Sequence, residues 1–157
     1  MSLATQGTHL FFQSDSASDG FFKITCPTGV SGLGGAREQI DDTCLDATDE
    51  RSYLAGLAAP GTVSIPFNLD PQAVDHHEFF VLKESGEKIQ WLVCLSDGED
   101  APTVDSNGDF DPPSDRTSLE FTAYVADVEI DIATADKVTG TLTLQRSGKV
   151  TPYWKGI

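Results

Sequence analysis

Three stretches of the chain alternate between apolar and polar residues, and this period of two narrows the possible folds more than any other feature. From Gly61 to Leu69, Val63, Ile65, Phe67 and Leu69 fall on one face of a strand, and Thr62, Ser64, Pro66 and Asn68 on the other. Leu119, Phe121, Ala123 and Val125 alternate with Ser118, Glu120, Thr122 and Tyr124; Val128, Ile130 and Ile132 then alternate with Asp127, Glu129 and Asp131. Near the end, Leu142 and Leu144 oppose Thr141, Thr143 and Gln145. Strands with one apolar and one polar face belong in an antiparallel sheet packed on one side and wet on the other. The wet face is rich in Thr, Ser, Asp and Glu and poor in Lys and Arg.

The remaining segments complete a mainly β chain. Thr8–Ser14 and Gly20–Thr25 read as strands joined by a turn, and Ile89–Leu95 is apolar enough to be a central strand. Glu38–Leu45 reads as a strand of poor alternation, and Asp46–Gly61 as a polar loop with apolar residues in its second half that argue for docking. Asp70-Pro71 is a helix start, predicting one helix over Gln72–Lys83 with Val74, His77, Val81 and Leu82 on one face. Pro66 lies mid-strand, where it cannot donate to a ladder, and predicts a bulge or a local break. Ser96–Thr117 has no pattern and is expected to be a solvated, mobile loop. With no repeat and no linker, the 157 residues make one domain.

Charge and chemistry exclude more than they suggest. Acidic residues outnumber basic ones 25 to 10, for a formal net charge of -15. Such a surface repels phosphate, so a basic nucleic-acid groove is not expected. The glycine-dense run Gly29–Ala36 fits neither a dinucleotide fingerprint nor a phosphate loop, which leaves close backbone approach. His76 and His77 are neighbours on a helix and diverge by about 100°, so they cannot share one small ligand. The stretch DSNGDFD fails as a calcium loop, because Thr103 and Ser114 occupy the two end positions that need acids. Cys26, Cys44 and Cys94 have no metal or redox spacing and read as small buried apolar residues in a reducing compartment. Nucleophile elbows and zinc-protease motifs are missing too, and the acids sit in loops and on wet faces where nothing raises a carboxyl pKa. No enzyme activity and no cofactor are expected. No apolar run approaches a membrane span, and the first residues carry no secretion signal.

The order of features from Gly29 to Pro71 resembles the major tail tube proteins of long-tailed, non-contractile phages. The matching pieces are Gly32-Leu33-Gly34-Gly35, Ile40 to Asp46, Gly56 to Gly61, Ser64 to Asp70, and Val138 to Leu144 with the later Ser147-Gly148. The resemblance implies a tail tube fold: an antiparallel β-sandwich or barrel-like domain with one flanking helix, here without the added C-terminal immunoglobulin-like domain of some relatives. It implies a virion protein, made in the bacterial host cytoplasm, whose hexameric rings stack into a tube. About four strands per subunit would give a barrel of about twenty-four, wider than the 16–18-stranded barrels that already hold an aqueous channel. The implied partners are further copies of the chain, a tape-measure protein, and tail terminator and tip proteins. Double-stranded DNA would pass through without specific binding. Within that frame Thr62, Ser64, Asn68, Glu120, Glu129, Asp131, Thr141, Thr143 and Gln145 are the candidate lumen residues. Asp49, Glu50, Arg51, Tyr53, Leu54 and Leu57 are the candidate contacts between rings.

Two other readings compete. One is the tube protein of a related contractile injection or type VI secretion system. The other, of a different class, is a monomeric acidic β-sandwich that binds calcium or a ligand through Ser96–Thr117.

Overall fold

The computed structural model describes residues 2–156. The chain runs through β1 (His9–Gln13), β2 (Phe21–Lys23), β3 (Arg37–Asp41), β4 (Tyr53–Ala58), β5 (Thr62–Asn68), α1 (Val74–Ser85), β6 (Ile89–Cys94), β7 (Thr103–Val104), β8 (Phe110–Asp111), β9 (Ser118–Asp131), β10 (Thr139–Arg146) and β11 (Thr151–Tyr153). The main antiparallel sheet has the order β2-β1-β6-β9-β10-β5, with β11 on β9. β3 with β4 and β7 with β8 form separate two-stranded sheets.

The alternating stretches are the strands they were expected to be. Val63, Ile65 and Phe67, then Phe121, Ala123, Val125 and Val128, then Leu142 and Leu144 all point into one core, with Phe12, Trp91 and Phe79. The ring of Trp91 stacks on Phe12 at 5.1 Å, and its indole N–H donates to the Ala123 carbonyl. The change of phase in the sequence between Val125 and Val128 is a bulge. Thr143 opposes Asp127 while Leu144 opposes Val125, which leaves Ala126 unpaired and keeps the apolar side inward on both halves of β9.

Pro66 breaks nothing. It pairs with Thr141 in a continuous β5–β10 register, and its carbonyl accepts the Thr28 N–H on the opposite, outer edge. Thr28 belongs to a segment that also bridges β5 at Pro27–Phe67 and Ser31–Ser64, covering an edge that would otherwise be open. Glycine is required there: at Gly32, with φ of +89°, a Cβ would lie 2.0 Å from the Thr62 carbonyl oxygen.

Four expectations are corrected. The helix spans Val74–Ser85, not Gln72–Lys83, because Asp70 accepts the Gln72 N–H in a turn that precedes it. Its buried face is Asp75, His76, Phe79 and Leu82, while Val74 and Val81 are exposed. The polar pair is tolerated inside because its partners are waiting. The Asp75 carboxylate accepts the Thr25 N–H and hydroxyl, and His76 takes the Asp70 N–H on Nδ1 and gives its Nε2 proton to the Thr25 carbonyl. Next, Asp46–Gly61 is not simply a loop, because β4 pairs with β3 in a hairpin. All of β3 and nearly all of β4 are exposed. A strand with no core face has no reason to alternate. Third, Ser96–Thr117 is neither patternless nor loose. β7 and β8 lay Phe110 against Phe11, Leu92 and Cys94 on the outer face of the sheet, forming a second apolar cluster. Gln90 holds this hairpin by accepting the Phe110 N–H and donating to Asp109. Finally, the burial expected of the cysteines holds for Cys94 and fails for Cys26 and Cys44, which are exposed.

Candidate functional site

The polar face begins with cross-strand register. Four rows run across β5, β10 and β9: Thr62–Gln145–Tyr124, Ser64–Thr143–Asp127, Pro66–Thr141–Glu129 and Asn68–Thr139–Asp131. Eight of the nine candidate lumen residues therefore share one continuous face on the side opposite the core. No lysine or arginine lies in those rows. A cation enters only at the bulge, where Lys83 of α1 reaches Asp127 at 3.1 Å. Glu129 and Asp131 have no basic partner within ion-pair distance among the described residues.

Glu120 stands apart from the other eight. It lies at the far end of β9 between Leu92 on β6 and Thr151 on β11. Burial raises the pKa of its carboxyl; a hydrogen bond from Tyr153 opposes that rise and the charge of Asp109 adds to it. The β7–β8 hairpin and β11 occupy this end of the sheet, so the open polar face belongs to three strands and not four.

The second surface is the β3–β4 hairpin. Asp49, Glu50 and Arg51 sit in its exposed tip, and Tyr53, Leu54 and Leu57 on β4 are 49%, 52% and 84% exposed. Ile40, which pairs with Leu54, is exposed as well, and Leu45 at the tip is wholly so. Local bonds hold the turn: Thr43 exchanges two hydrogen bonds with Ser52, and Asp41 accepts the Thr43 N–H. Hydrogen bonding from Thr43, by its side chain first and then its backbone N–H, holds the Asp41 carboxyl below its usual range. A two-stranded ribbon with apolar side chains on display is marginal by itself in water.

Sequence reasoning missed the two buried arginines. Arg116 is fully buried, and its guanidinium donates to the carbonyls of Gly7, Cys94, Leu95 and Asp100. It ties the N-terminal arm to the turn after β6. Arg146 is 4% exposed on the core side of β10 and donates to the Gly34 carbonyl. The only signal in the sequence is that Arg146 follows Leu142 and Leu144 in phase. Asp105 accepts the N–H groups of Asn107 and Asp109, which closes the DSNGDFD stretch on itself as a turn. No metal-ligating cluster occurs among the described residues.

A mainly antiparallel β body, polar rows without lysine or arginine, and an exposed apolar hairpin fit a structural subunit. The family is more specific than that. The sequence model of the lambda-like phage tail tube family (TTP) matches residues 1–156, and the chain belongs to that family. It is 40% identical over 148 residues to "Structural protein 3" of Pseudomonas phage PAJU2, covering 92% of this chain and 89% of that one. Among solved structures, the SPP1 tail tube covers 99% of this chain and 82% of its own with a TM-score of 0.71 at 13% identity. A chain of the anti-feeding prophage (AFP) baseplate covers 100% and 99% with a TM-score of 0.70 at 12% identity. At such identities these likenesses show the fold alone. The protein is thus a virion structural component and not an enzyme.

Proposed function

We propose that six copies close into a ring, that rings stack into the tail tube, and that the β5–β10–β9 face lines the channel through which DNA leaves. The observation that carries this reading is the four-row polar face, continuous over three strands, whose rows hold no lysine or arginine and which meets a cation at Asp127, from Lys83 of α1. DNA carries about one charge per 1.7 Å, and each cation facing it would add a salt-dependent hold. A neutral to acidic wall lets it slide. A heterologous contact closes a ring, and a second, axial contact stacks rings. The β3–β4 hairpin, whose Leu54, Leu57 and Tyr53 need cover, is assigned the axial contact. Lambda-like family membership favours a sheathless tail over the tube of a contractile or type VI system. Tape-measure, terminator and tip proteins are the partners this role requires, and synthesis in the host cytoplasm follows from it.

Leu57→Asp tests the assignment. Removing a buried leucine from an interface forfeits about 1.5–3 kcal/mol per contact, roughly a ten- to hundredfold rise in the concentration needed to assemble. The monomer should melt as the wild type does, because Leu57 contributes nothing to its core. Negative-stain microscopy across concentration and salt should show tubes for the wild type and none for the variant. Normal tubes from Leu57→Asp would remove the hairpin from the contact between rings.

A further inference from the structure

We propose that the cavity beside Arg146 is a carboxylate socket that receives Asp46, at the hairpin tip of a second copy of this chain. This inference rests on the tube reading above and names the two surfaces that meet. Arg146 is nine-tenths buried, yet its Nε has no hydrogen-bond partner. A buried cation is costly unless it is paired. Among the described residues its only side-chain hydrogen bond goes to the Gly34 carbonyl, and no carboxylate lies within ion-pair distance. Arg116 shows the alternative, since this chain surrounds that guanidinium with carbonyl oxygens.

The space next to Arg146 is about 300 Å³, walled by Leu33, Gly34, Gly35, Pro60, Lys149 and Val150. Two cations and no acid line it, in a chain whose acids outnumber its bases 25 to 10. Its apolar wall suits a leucine entering beside a carboxylate. The hairpin tip carries that pair, because Leu45, fully exposed, precedes Asp46, which makes no ion pair.

The same chain cannot fill its own socket. Gly34 and Gly35 lead into β3 and Pro60 leaves β4, so the cavity lies at the base of the hairpin. Five or six residues at about 3.3 Å each place the tip roughly 15–20 Å away along a paired ribbon. A tip docking at another copy's base leaves that copy's tip free for the next. Such a contact propagates, as stacking requires.

The test uses Cys44, which is exposed two residues before Asp46, with a partner cysteine placed at the rim of the socket. In the Ala59→Cys, Cys26→Ser protein, which places the thiol on an exposed, uncharged residue of the socket wall, tubes are first confirmed by negative stain and then oxidised. The expected result is a ladder of disulfide-linked multimers on a non-reducing gel, lost on reduction and lost when Cys44→Ser is added. A parallel pair of variants reads the charge. Asp46→Asn, on the exposed tip, and Arg146→Met should each raise the concentration needed for tubes about tenfold, and the double variant should be no worse than either. Tubes with no ladder, or Asp46→Asn tubes at the wild-type concentration, overturn the socket and leave the tube reading standing. Failure of the wild type to form tubes under any condition overturns both.

Discussion

Replacing Phe110 with alanine separates a packed β7–β8 hairpin from a loose surface loop. Phe110 is 6% exposed, meets Phe21 edge-on at 5.8 Å, and closes an outer cluster with Phe11, Leu92 and Cys94. Truncation of a buried phenylalanine costs about 3–5 kcal/mol. The lower end applies here, because the cluster is small, lies near the surface, and can refill with water or relax once the ring is gone. For a chain of this length each kcal/mol shifts Tm by about 2–4 °C, so a loss of about 3 kcal/mol lowers it by roughly 6–12 °C. Urea titration in a Trp154→Phe background, where Trp91 is the one remaining tryptophan, followed by fluorescence and far-UV circular dichroism, measures the change. Trp91 reports on the main core and not on the hairpin, so a shift seen by both probes means that the hairpin supports the whole sheet. Limited proteolysis between residues 99 and 114 should also accelerate well below the melting point, because the hairpin loses its anchor first. A stability change under about 0.5 kcal/mol with unaltered proteolysis would refute the packing argument and return the segment to a solvated loop.

Two further perturbations probe the interior. His76→Leu fills the same space but leaves the Asp70 N–H and the Thr25 carbonyl without their partner at the half-buried edge of the core, so the urea midpoint should report a loss of about 1–3 kcal/mol; a loss under about 0.5 kcal/mol would contradict the hydrogen-bond account. Burial, and then the charges of Lys23 and Arg116, hold the His9 imidazole below its usual range. Between the unfolded histidine's pKa, about 6.5, and that lower folded value the unfolded state binds the extra proton. His9 therefore contributes stability above about pH 6.5 that is lost as pH falls through this window, and His9→Gln should flatten the slope of Tm between about pH 7 and 5; an unchanged slope sinks the assignment.

Much of this protein was legible without coordinates because strand burial is written locally. Every second residue of β5, β9 and β10 records which way it points, and the bulge at Ala126 is visible as a shift of phase between Val125 and Val128. Alternation alone put eight of the nine candidate lumen residues on the one face they share in the sheet, and the order of the glycine, acidic and proline pieces between Gly32 and Asp70 indicated the family. What the tertiary structure decided are the places where the partner is distant in sequence. Apolarity chose the wrong face of α1 because Thr25 and Asp70 supply hydrogen bonds that let Asp75 and His76 go inside in place of Val74 and Val81. The β3–β4 hairpin carries no period because neither face meets a core within the chain, and Phe110 looked solvated because Phe11 and Leu92, which bury it, belong to other strands. Arg146 reads as one more surface charge until Gly34, 112 residues earlier, is brought against it. Periodicity reports only how a segment faces its own sheet; which buried groups find partners, and which are left open for another copy, is settled when distant segments meet.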